Sequence, residues 1–233
     1  MNRSTNHRQG FTLIELMLAM TYVALLLLAI AMTTMQIGRI YNKGITLKNV
    51  NQVGRDVTDE LQRSIAGVQP FDVPTHYVSQ PGGGRLCLGT YSYVWNFGKA
   101  LADTSGTLPV MNVYDDPNAG PIHLAKVSDT GAALCTKPYG KISKANAVEL
   151  LTGGDHDLVI HQFDLAETQR DDLAGQALYA ITLSIGTNDQ AQLETGDLTC
   201  KAPADGAGND DYCAVNRFDL TARAGNKQEV KSE

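Results

Sequence analysis

Between Leu16 and Met35 the chain reads LMLAMTYVALLLLAIAMTTM, twenty residues without a charge, a proline or a glycine. At about 1.5 Å per residue, such a helix covers roughly 30 Å, the thickness of a bilayer core. Beyond Met35 the apolar positions thin to one stripe, Ile37, Ile40, Leu47, Val50, Val53, Val57, Leu61 and Ile65, recurring mostly at helical spacing. The pattern predicts a single helix of roughly 55 residues, apolar all round in its first half and amphipathic in its second. Gly38, Gly44 and Gly54 weaken it locally, and Pro70 marks its latest end.

After Pro70 the pattern changes to short apolar or alternating runs divided by turn residues. QPGGGRLCLGTYSYVWNFG predicts a loop at Pro81 to Gly84 and then a strand, with Tyr91, Tyr93 and Trp95 on one face by period two. PIHLAKVSD, DLVIHQFDL, ALYAITLSIG and CAVNRFDLTARAG read as further strands, and KANAVELLTGG as one or two helical turns. An antiparallel sheet laid on the amphipathic half of the helix buries both apolar surfaces, an α+β arrangement. The aromatic face could stack on a sugar or a base, but packing under the helix is the expected use of large aromatics.

The boundaries that follow are a leader over 1–10, a membrane or filament-core helix over 11–36, an amphipathic helix over 37–69, a β-rich headgroup over 70–224 and a loose tail over 225–233. The headgroup is long enough for one domain with a sizeable core. A net charge of −6 and a pI near 5.3, with no clustered Lys and Arg, argue against nucleic acid as a partner. No internal repeat is visible.

Cys87, Cys135, Cys200 and Cys213 form an even set without a C-x-x-C spacing, which suits two disulfides made outside the cytoplasm more than a zinc site. Of the possible pairings, Cys200 with Cys213 is preferred because it closes a short polar loop, leaving Cys87 with Cys135. Charge points the other way. Arg3 and Arg8 precede the span, whereas Arg39, Lys43, Lys48 and Arg55 follow it, so a positive-inside count places the headgroup in the cytoplasm. The cysteines and the leader are given the greater weight.

A secretory signal cut after Ala29-Ile30-Ala31 would have an apolar region of about 7 to 15 residues, and the helical pattern here runs through the supposed cut. Glu15 is the anomaly at the start of the span. Thr12-Leu13-Ile14-Glu15 has the spacing of a capping box, with Phe11 and Leu16 placed to form a hydrophobic staple.

Gly10 followed by Phe11-Thr12-Leu13-Ile14-Glu15-Leu16, after a short leader carrying Arg3 and Arg8 and before the apolar run, resembles the cleavage and methylation signature of type IV prepilins and type II secretion pseudopilins. The resemblance covers residues 8 to 35, and the amphipathic continuation fits it. It implies that an integral-membrane prepilin peptidase cuts after Gly10 and that the new amine of Phe11 is methylated. It further implies that Glu15 pairs with the Phe11 ammonium of a neighbouring subunit. The partners implied are other pilin subunits, the pilus assembly machinery and the cytoplasmic (inner) membrane.

An isolated carboxylate in an apolar bundle is unfavourable, whereas one facing a neighbour's ammonium is compensated at one axial offset only, so the charge would specify register. Many major pilins carry a proline near the end of the membrane segment, and this chain has none before Pro70. The length suits a minor pilin or pseudopilin, and Glu15 argues against the extreme tip of a filament. The loop between Cys200 and Cys213 resembles the disulfide-bounded surface loop of pilins.

Within that loop Asp205, Asn209, Asp210 and Asp211 offer hard oxygen ligands of the kind Ca²⁺ takes, though without EF-hand spacing, and a solvated acidic turn is the ordinary reading. Asp155, His156, Asp157 and His161 form another candidate metal cluster, but on a continuous strand the two histidines would face opposite sides. No nucleophile elbow, H-E-x-x-H or phosphate-binding loop is present. The expectation is a structural subunit, not an enzyme, with no cofactor. The competing expectation is a monomeric, membrane-anchored extracytoplasmic binding domain.

Overall fold

The computed structural model describes residues 11–151, 157–194, 196, 198–201 and 212–225. Its first element is α1 (Leu13–Ala66), a single α-helix of 54 residues. By compactness the chain divides into a first unit up to Asn42 and a second from Lys43 onward.

In the first unit α1 carries the apolar run. Its most hydrophobic stretch has a mean hydropathy of 2.4 with none of it buried, and by length and composition the helix can cross a membrane. The hydroxyls of Thr21, Thr33 and Thr34 donate to carbonyls one turn back, at 2.9 to 3.1 Å, so these polar atoms are satisfied within the helix itself.

In the second unit α1 buries Thr46, Val50, Gly54, Val57, Leu61 and Ile65. The apolar stripe is therefore right from Val50 to Ile65, and Val53 packs against the same core. Leu47 remains 38 % exposed, and Thr46 takes the inner position beside it. The inner face is chosen by closeness of approach as well as by hydrophobicity, which is why a threonine and a glycine belong to it. The helix ends at Ala66, with the Gly67 and Val68 amides turned back onto Arg63, Ser64 and Ile65 carbonyls, short of Pro70.

Two antiparallel sheets pack on this half of the helix. The first runs in the order β1 (Tyr77–Gln80), β2 (Gly83–Cys87), β3 (Tyr91–Asn96), β5 (Leu124–Ser128) and β7 (Ala147–Glu149). The second is β10 (Val215–Ala224), β9 (Gln176–Thr187) and β8 (Leu158–Asp171). A parallel pair, β4 (Val113–Tyr114) with β6 (Lys141–Ile142), and the short helices α2 (Val73–His76), α3 (Gly98–Ala102) and α4 (Ala133–Thr136) complete the unit. The arrangement is α+β and pilin-like, a long N-terminal helix followed by antiparallel sheets.

Period-two alternation on β9 sends Ala177, Tyr179, Ile181, Leu183 and Ile185 inward. Register then builds layers across the sheet: Leu183 pairs with Phe163 and Phe218, and Ile181 with Leu165 and Leu220. On β3, Tyr93 and Trp95 enter the same core, while Val94 faces a second cluster with Tyr114, Ile122, Ala125, Val127 and Ile142.

Two expectations need correction. Gly83 and Gly84 lie in β2, not in a loop, because the Trp95 indole covers Gly84: a Cβ there would stand 2.2 Å from the ring. The stretch from Lys144 gives only one 3-10 turn, Lys144–Asn146, and then enters β7, where sheet pairing with β5 outweighs local helix propensity.

Candidate functional site

The first turn of α1 shows how the sequence anomaly is built. Thr12 supplies both of its donors to one carboxylate oxygen: its amide donates to Glu15 Oε2 at 3.0 Å and its hydroxyl at 2.8 Å. The Glu15 amide returns a longer bond of 3.4 Å to Thr12 Oγ1. This is the reciprocal capping geometry, with orphan amides of a helix start met by side chains. Oε1 of Glu15 makes no hydrogen bond among the described residues. The carboxylate is thus oriented by its own helix yet keeps one oxygen open. A staple between Phe11 and Leu16 covers little, since Phe11 keeps 82 % of its surface and Leu16 keeps 53 %.

Downstream, every large apolar side chain from Leu16 to Met35 is exposed, including Met17, Leu18, Val23, Leu25, Leu28 and Ile30. Contiguous apolar surface on this scale is foreign to a water-exposed monomer and requires lipid or other helices. The site has two parts, a hydrophobic rod and one partly engaged carboxylate at its start.

Both disulfides are formed, Cys87 with Cys135 and Cys200 with Cys213, and no free cysteine is present among the described residues. The first fastens α4 to β2, where it is joined by buried Arg85. That guanidinium donates to Asn112 Oδ1 at 2.9 Å and to the Leu134 carbonyl at 2.6 Å, and it lies 4.4 Å from the Tyr139 ring centre. Sequence reasoning missed Arg85, for a lone arginine in a Gly-rich run gives no signal of burial.

The aromatic run is divided by function. Trp95 is fully buried against Phe163, with ring centres 4.4 Å apart, and Tyr93 donates to Glu60 Oε1 at 3.0 Å. Lys126 completes this link at 2.6 Å from the same oxygen, and its hydrogen bond holds the Glu60 carboxyl below the usual range against the opposing effect of burial. Tyr91 is 41 % exposed, and its ring is covered by the Lys126 ammonium at 4.1 Å. The face is core and helix clamp, not an open stacking platform.

Gly10, Asp155 and His156 lie outside the described residues, as do the Ca²⁺ candidates Asp205, Asn209, Asp210 and Asp211. Of the remaining histidine cluster, Asp157 pairs with His123 at 3.3 Å, whereas His161 turns to the Thr187 carbonyl at 3.1 Å. Among the described residues no group of three or more His, Cys, Asp or Glu side chains is placed to hold a metal ion.

No family model, no curated protein and no solved structure matches the chain.

Proposed function

We infer that this chain is a structural subunit, a minor pilin or pseudopilin, of a type IV pilus or a related secretion filament. The observation that carries the reading is the pairing of a wholly exposed apolar helix with a capped carboxylate at its start. A plain anchor needs the first and of the second needs only the cap, which leaves Oε1 unused. In a filament the rods pack against one another by van der Waals contact, first in lipid and then in a protein core. Glu15 Oε1 would receive the methylated ammonium of a neighbour's Phe11, which stays cationic at neutral pH. The ion pair then selects the one stagger at which both charges are neutralised.

Processing precedes assembly. Prepilin peptidase would remove 1–10 after Gly10, and the headgroup, with its two disulfides, would face the extracytoplasmic side of the cytoplasmic membrane before being drawn into the filament. Mass spectrometry of the mature protein from cells tests this. N-methylated Phe11 at the N-terminus is expected. An intact leader on a protein found only as single anchored molecules would overturn the reading.

A further inference from the structure

The hairpin joining β8 to β9 ends in Asp171-Asp172-Leu173-Ala174-Gly175, and every residue of this tip is exposed, Leu173 fully so. It is not a slack turn. Asp171 Oδ1 accepts the amides of Leu173 and Ala174, each at 3.0 Å, an Asx-type closure that fixes the tip and leaves the Leu173 side chain outside. A leucine held in water by a rigid turn is pre-organised for a contact.

On α1, within the same unit, Lys48, Asn51, Gln52, Arg55 and Asp56 line a notch of about 360 Å³. Lys48 and Arg55, about two turns apart on one face of the helix, are exposed, and among the described residues neither has an ion-pair partner. Their aliphatic stems offer apolar wall below the charges. Asp56 offsets part of the charge, leaving the notch net positive by one of its two cations. The tip brings Asp171 and Asp172.

These two patches sit at opposite ends of the unit along α1. The tip is tied to the helix's far end, since Gly225 donates its amide to the Val68 carbonyl at 2.8 Å and packs against Gly175 so closely that a Cβ would meet the Gly175 oxygen at 2.1 Å. From Gln52 to Ala66 the helix advances roughly 20 Å at about 1.5 Å per residue. One chain therefore cannot close the contact on itself. We propose that the β8–β9 tip of one copy, Leu173 with Asp172, docks into the Lys48–Arg55 notch of a second copy.

The occupant is a second copy because both halves are on this chain and carry opposite charge, Asp172 on the tip against Lys48 and Arg55 in the notch. Two different patches make a heterologous contact, and offset along one axis such a contact propagates instead of closing. The inference rests on the filament reading and adds a headgroup contact to the Phe11–Glu15 pair.

Two full-length variants, Gln52→Cys and Leu173→Cys, co-expressed in one cell, test it by disulfide trapping in intact filaments and peptide mapping. The native cysteines are already paired, so the new thiols report alone. A 52-to-173 cross-link as the main product is expected, with reversal of charge in Arg55→Glu lowering filament yield about tenfold and Asp172→Arg restoring it. Filaments that form without the 52-to-173 link, or with a 173-to-173 link as the main product, overturn the docking while the subunit reading stands. Anchored monomers with neither filaments nor any cross-link overturn both. Capture of Leu173→Cys by a different protein instead of its own kind also overturns the proposal.

Discussion

The ring of Phe218 occupies the place where Gly54 would carry a side chain: a Cβ on Gly54 would stand 2.1 Å from Cζ of that ring. The glycine lets β10 and α1 approach while Phe218, in register with Leu183 and facing Phe163's layer, fills the space between them. A position that the helical pattern marks as a weakness is a seat for an aromatic ring.

Gly54→Ala should accordingly destabilise the protein. The gain in helix propensity is about 1 kcal/mol, and overpacking against the ring costs about 1–3 kcal/mol, for a net loss of up to about 2 kcal/mol. Gly44→Ala meets nothing within 4 Å and should stabilise by about 0.5–1 kcal/mol. Urea unfolding of the two variants side by side checks both signs, and equal effects would refute the packing account.

His161 should make the headgroup acid-sensitive. Burial pushes its imidazole down from 6.5 to about 4, with Lys99 acting in the same sense and the hydrogen bond to the Thr187 carbonyl opposing. The unfolded chain therefore binds a proton that the folded one refuses, so stability is fully present above pH 6.5 and is lost as the pH falls towards about 4. At roughly 1.4 kcal/mol per unit the full effect is about 3 kcal/mol, and the ring's partial exposure reduces it to about 1–2 kcal/mol. His161→Gln retains a donor for Thr187 and should lose less stability on acidification than the parent. Parallel unfolding curves at about pH 7 and about pH 4.5 measure the difference.

Glu15→Gln separates the two uses of that residue. A glutamine still accepts from the Thr12 amide, so membrane insertion and helix content should be unchanged. Without the charge, incorporation into filaments should fall roughly tenfold or more, as expected when one partner of a desolvated ion pair is removed. Quantitative blotting of filament and membrane fractions gives the answer; undiminished incorporation would show that the charge has no part in assembly.

Much of this was legible in the sequence because the relevant forces are periodic. The run from Leu16 to Met35, the stripe from Val50 to Ile65 and the alternation on β9 each repeat one physical requirement several times over. Thr12 and Glu15 were legible for another reason, since a capping box is set by local spacing alone. What escaped depends on long-range contact. Gly54 reads as a helix breaker until Phe218, distant in sequence, is placed beside it. Gly84 reads as loop until Trp95 covers it, and β7 is decided by its neighbour β5. Arg85 becomes structural only when carbonyls of the 134–138 stretch converge on it.

The threonines of the apolar run have a wider consequence. Because Thr21, Thr33 and Thr34 spend their hydroxyls on their own backbone, the segment brings its polar partners with it wherever it goes. Moving it from fatty-acyl surroundings to a packing of like rods then breaks no side-chain hydrogen bond of these residues in either direction. These hydroxyls therefore set no preference between lipid and neighbouring helices as surroundings for the run.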